Sequence, residues 1–84
     1  MIKRLKANNP LSNNVTATLE DYFSMLDEET PTDVFQMVLG QVEKPMIEFV
    51  LNKTEFNQTK TADILGINRN TLRKKIKQYE IIKH

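Results

Sequence analysis

Residues 57–79, NQTKTADILGINRNTLRKKIKQY, decide the fold, because they read as two short helices joined by one tight turn. Asn57 supplies a side-chain oxygen able to cap a helix that contains Ala62, Ile64 and Leu65. Gly66 supplies the left-handed residue that ends such a helix, and Ile67 inserts an apolar anchor into the turn. Asn68 can cap the next helix, whose buried stripe is Leu72, Ile76 and Tyr79, at spacings of four and three. Ala62 is small where the two helices must cross closely. Two short helices with a glycine in the turn form the helix-turn-helix unit.

The face of the second helix turned away from that stripe carries Arg69, Asn70, Arg73, Lys74, Lys77 and, in part, Lys75. No acid interrupts the basic residues between Arg69 and Lys77. In a recognition helix the N-terminal residues reach base edges, and their neighbours hold phosphates. Asn68 and Arg69 stand at that end. Arginine can pair with guanine through two bonds, and asparagine can pair with adenine. Thr71, Arg73 and Lys74 are then expected along the groove wall. Asn57 and Thr59 open the first helix, where side chains and free backbone N–H groups can meet the phosphodiester.

Working outward, Thr54 to His84 hold seven Lys/Arg against three Asp/Glu, a balance of +4, whereas residues 1–53 hold five against eight, −3, which recovers the net +1 of the 84-residue chain. A basic functional end thus follows a more acidic scaffold. Thr30-Pro31-Thr32-Asp33 offers a capping hydroxyl, a proline for the first helical position and a carboxylate for the third. The helix expected after it bears Val34, Phe35, Met37, Val38, Leu39, Val42, Met46, Ile47, Phe49, Val50 and Leu51, more than one stripe. A helix apolar on most sides must be covered on most sides, and a second copy of the chain is the natural cover. Pro45 removes a backbone donor and should kink this helix; two helices broken at Lys44 are the alternative. Further back, Val15, Leu19, Tyr22, Phe23 and Leu26 form one stripe of a first helix capped by Ser12, which the acids Asp27-Glu28-Glu29 should end. Residues 1–11 lack periodicity and read as a flexible arm.

This length suits one small domain that gains from dimerising. The chain has no cysteine and one histidine, so a disulfide framework and a zinc cluster are not expected, nor is any cofactor. No signal peptide follows Lys3, Arg4 and Lys6, and no apolar run is long enough to span a membrane. A cytoplasmic protein is expected. With two glycines there is no phosphate-cradling loop, and no paired carboxylates or nucleophile with a base can be found, so an enzyme is not expected.

Asn57-Gln58-Thr59, Ala62 and Gly66-Ile67-Asn68-Arg69, followed by Thr71 to Lys77, resemble the Fis family, factors for inversion stimulation that are bacterial nucleoid-associated proteins. Val42-Glu43-Lys44-Pro45 is similar to that family's proline-bearing central helix, and Leu19 with Tyr22-Phe23 to its first helix; the likeness spans about residues 11–81. The same block also closes enhancer-binding activators of the nitrogen-regulator class. A chain that begins with methionine and ends just after the block fits the stand-alone protein better.

The resemblance implies an all-α fold of four helices per subunit, in an intertwined homodimer core with a C-terminal helix-turn-helix. The expected organisation is an arm over residues 1–11, dimerisation helices over 12–54 and the helix-turn-helix over 55–84. It implies a sequence-tolerant protein that binds and bends double-stranded DNA, regulating transcription on the nucleoid. Asn68 and Arg69 match the family's base-contacting pair. Asn57, Thr59, Thr71, Arg73, Lys74 and Lys75 match its phosphate contacts.

Three departures limit the likeness. Glu55-Phe56 stands where the family usually has a basic residue and glycine, so no backbone-contact role is carried there. Thr16 and Glu20-Asp21 replace basic residues of the first helix, favouring less wrapping of flanking DNA. The segment before that helix is too short for the arm that contacts recombinases, so that contact is not expected. The residues alone leave two other readings open: a helical module whose basic face meets an acidic protein, and a DNA-binding domain cut from a larger activator.

Overall fold

A computed structural model describes residues 4–5 and 10–83. Four helices follow one another: α1 (Pro10–Met25), α2 (Val34–Lys53), α3 (Gln58–Leu65) and α4 (Arg69–Gln78). There is no strand among the described residues. The chain divides into two units, Met1–Val34 and Phe35–His84.

In the first unit, α1 starts at Pro10, two residues before the expected cap Ser12. Proline is pre-organised for a first helical turn, so the helix extends back to it. Ser12 lies inside α1, where its carbonyl accepts the Thr16 hydroxyl at 3.2 Å. Pro10 and Leu11 are therefore helical; most of the remaining arm lies outside the described residues. The helix ends at Met25, before the acids, and Asp27 takes a left-handed φ of 55° in the turn that follows. None of the side chains of α1 is buried within the chain.

In the second unit, α2 runs unbroken through Pro45, so the break at Lys44 does not occur. Its start differs from the expected one. Asp33 has φ 59°, a left-handed conformation that a right-handed helix cannot include, and the helix begins one residue later at Val34. Thr30, Pro31 and Asp33 thus precede the helix and supply no first-turn carboxylate.

The core of this unit is small and, apart from Thr61, apolar. Ile47 and Leu51 of α2, Ala62 of α3, Leu72 of α4 and Ile81 beyond it form one cluster. Phe56, Leu65, Ile67, Ile76 and Tyr79 pack on it, half-buried. Ile47 and Leu51 are one turn apart, so a single edge of α2 is the floor on which the last two helices sit. The buried polar residue Thr61 is satisfied by the Thr54 hydroxyl at 2.7 Å, so no hydrogen bond is forfeited there.

The turn between α2 and α3 closes through Phe56 N–H donating to the Leu51 carbonyl at 2.7 Å, the long bond of a Schellman ending. Glycine would normally serve such a turn, but here Glu55 (φ 55°) and Phe56 (φ 63°) take the left-handed positions. Each costs about 1–2 kcal/mol relative to a relaxed backbone. Phe56 offsets its cost by packing on the core, whereas Glu55 is exposed. Glu55→Gly is therefore expected to stabilise the fold by about 0.5–1 kcal/mol, less than the strain relieved because glycine loses more entropy on folding. Thermal unfolding would show a rise of a few degrees; an unchanged or lower midpoint would speak against strain at Glu55.

Candidate nucleic-acid interface

The last two helices are built from their caps. The Asn57 carboxamide oxygen accepts the Lys60 amide at 3.1 Å and starts α3. At its other end Gly66 (φ 76°, ψ 31°) donates to the carbonyls of Ala62 at 2.9 Å and Asp63 at 3.2 Å. Ile67 N–H also reaches Ala62, at 3.1 Å, completing a Schellman motif. Asn68 then caps α4 by accepting the Asn70 amide at 2.7 Å. The expected caps, turn glycine and buried stripe all stand where the spacing put them.

A side-chain bond links residues of the first turns of α3 and α4. Arg69, the first residue of α4, donates through Nη1 to the Thr59 hydroxyl near the start of α3, at 3.3 Å. Arg69 and Thr59 thus mark one exposed rim that carries residues from the N-terminal turns of both helices. Asn57, Thr59, Asn68, Arg69, Thr71, Arg73 and Lys74 are all exposed along it or beyond it on α4. The Asn68 and Asn57 oxygens are occupied by their caps, which leaves their amide NH2 groups free to donate. With the arginine and lysine heads, the rim is rich in donors and suited to acceptors.

Lys75 does not join this face. It lies three residues after Leu72 and four before Tyr79, on the flank of the buried stripe. Its Nζ donates to Glu43 Oε1 of α2 at 2.8 Å, and the Tyr79 hydroxyl donates to the same oxygen at 2.6 Å. The Lys75 and Tyr79 bonds hold the Glu43 carboxyl below its usual range, although partial burial opposes them. The carboxylate and partial burial in turn push the Tyr79 phenol up. Sequence reading missed Glu43, although an acid one turn before Ile47 on the floor edge of α2 was a signal. The Thr54–Thr61 pair left no such signal.

No described helix is long and apolar enough to cross a membrane.

Comparison with known proteins agrees with this geometry. The model of the family described as bacterial regulatory protein, Fis family, matches residues 38–79, from α2 through the end of the helix-turn-helix. The chain is 49% identical over 74 residues to the DNA-binding protein Fis of Mannheimia haemolytica, covering 88% of this chain and 76% of that protein. The Fis protein of Haemophilus ducreyi gives the same identity and coverage. That of Actinobacillus succinogenes is 49% identical over 72 residues, covering 86% of this chain and 73% of its own length. With the family model matched over residues 38–79 and near-half identity over 88% of its length, the chain belongs to the Fis family.

Proposed function

We propose that this chain binds and bends double-stranded DNA as a homodimer and acts on the nucleoid, in the cytoplasm, as a transcription regulator. The observation that carries the reading is the Arg69–Thr59 bond linking residues of the α4 and α3 N-terminal turns, with cations continuing along the exposed side of α4. Phosphates suit such a rim because they meet positive side chains beside helix N-termini. Arg69 is the principal base reader, pairing with guanine O6 and N7 through its two-donor fork. Asn68 adds its free amide donor toward a base acceptor while its oxygen stays in the cap. Asn57, Thr59, Thr71, Arg73 and Lys74 take phosphates. Lys75, paired with Glu43, is left out of that set.

Dimerisation is supported by α2. Phe35, Leu39, Val42, Met46 and Phe49 recur at spacings of four and three, away from the edge that carries Glu43, Ile47 and Leu51. Phe35 is 71% exposed, Met46 45% and Phe49 63%, whereas Leu39 and Val42 are half-buried, so much of this stripe stays open among the described residues. A second copy supplies a cover and sets two recognition helices at a fixed separation. Where that separation is shorter than a turn of straight duplex, about 34 Å, the DNA must bend. The bend costs about 1–6 kcal/mol depending on sequence, and so selects among sites without touching every base.

Sedimentation of the free protein tests the arrangement, together with gel mobility of duplexes carrying the site at the middle or the end. A dimer is expected, with the slowest complex when the site is central. A monomer that binds without altering mobility would contradict it.

A further inference from the structure

The hydrophobic core alone leaves α4 under-determined. Leu72, Ile76 and Tyr79 seat the helix on α2 through apolar contact, which is non-directional and by itself specifies roll and register less sharply than a hydrogen bond does. Glu43 supplies such bonds. One of its oxygens holds Lys75 at 2.8 Å and Tyr79 at 2.6 Å, donors one helical turn apart on the same edge of α4. The Tyr79 ring also reaches α2 at Gly40, one turn before Glu43, where a Cβ would stand in ordinary contact with it at 3.8 Å. The Glu43 side chain is 14% exposed and that of Lys75 24%, so the pair is better shielded than an ordinary surface ion pair.

We propose that Glu43 is a positioning residue for DNA reading: through Lys75 and Tyr79 it fixes the roll and register of α4, and thereby the aim of Asn68 and Arg69. Lys75 serves this joint and not a phosphate. The inference rests on the DNA-binding function proposed above.

The test compares Glu43→Gln, Lys75→Gln, their double variant and Lys75→Arg, each confirmed folded by circular dichroism at the working temperature. Binding is measured on a preferred and a scrambled duplex over a salt series. Glu43→Gln and Lys75→Gln should each weaken binding to the preferred duplex by roughly tenfold, and the double variant no further, because both break one joint. Discrimination between the duplexes should narrow, and the salt slope should stay that of wild type. Lys75→Arg, which keeps the pair, should recover most of the loss. Unchanged affinity in Glu43→Gln would overturn the proposal, as would a Lys75→Gln slope shallower by about 0.9 per contact, the mark of a lost phosphate contact.

A measurement without DNA separates this inference from the function on which it rests. Residual dipolar couplings of free Glu43→Gln should show α4 reoriented against α2, and an unchanged orientation would overturn the proposal. If that variant does not fold, the same couplings are read on Tyr79→Phe. Absence of duplex binding by wild type would instead count against the proposed function.

Discussion

Arg69→Ala is expected to weaken binding to a preferred duplex by roughly tenfold or more, since one two-bond arginine–guanine pair contributes about 1–3 kcal/mol. The side chain is exposed and its internal partner is the Thr59 hydroxyl at 3.3 Å, the long end of the hydrogen-bond range. Its removal should hardly alter stability, as is usual for surface substitutions. Affinity and folding are thus separable in this variant. Binding should also become less selective, because the phosphate contacts that remain carry no sequence information. Electrophoretic titration of a preferred and a scrambled duplex reads both effects. Undiminished affinity for the preferred duplex would remove Arg69 from the reading head.

Leu72→Ala should have the opposite profile, a loss of fold before any specific loss of binding. Leu72 is fully buried and meets the α2 floor in the cluster with Ile47, Leu51, Ala62 and Ile81. Deleting such a side chain typically costs about 2–5 kcal/mol, because a cavity is added to the lost transfer energy. A small domain has about 5–15 kcal/mol of stability in all, so a large part would go. Urea unfolding of the variant measures the cost. Ile64→Ala, at a position 63% exposed in the next helix back, is the control and should stay within about 0.5 kcal/mol. Equal effects at the two positions would contradict the core described above.

The parts of this molecule legible in its sequence are those decided by local interactions. Asn57 and Asn68 cap with their own neighbours, and Gly66 has the freedom its left-handed turn requires. The stripe of Leu72, Ile76 and Tyr79 followed from helical spacing, and the proline in α2 was rightly read as a residue within one helix. What escaped was of two kinds. Asp33, Glu55 and Phe56 adopt left-handed backbone although none is glycine, and Asp33 thereby moved the start of α2. Glu43 meets Lys75 and Tyr79 across 32 and 36 residues, a distance over which periodicity is silent. Helical spacing puts Lys75 only partly on the basic face, but its partner Glu43 is visible only with α4 seated on α2.

These differences bear on function unequally. The shifted start of α2 leaves the helix-turn-helix untouched. In the proposed complex the exposed Glu55 carboxylate, just before the α3 cap, would oppose an approaching phosphate. In the proposed complex the pairing of Lys75 with Glu43 would leave fewer cations for phosphates.

The most direct measurement is a titration of the wild-type protein with duplex DNA between about 50 and 200 mM salt, the range over which counterion release is read. With Arg73 and Lys74 of each protomer on phosphates, the logarithm of affinity should fall with a slope of about −3 to −4, a loss of roughly a hundredfold across that range. No binding at low salt, or affinity that does not change with salt, would contradict DNA binding through this face.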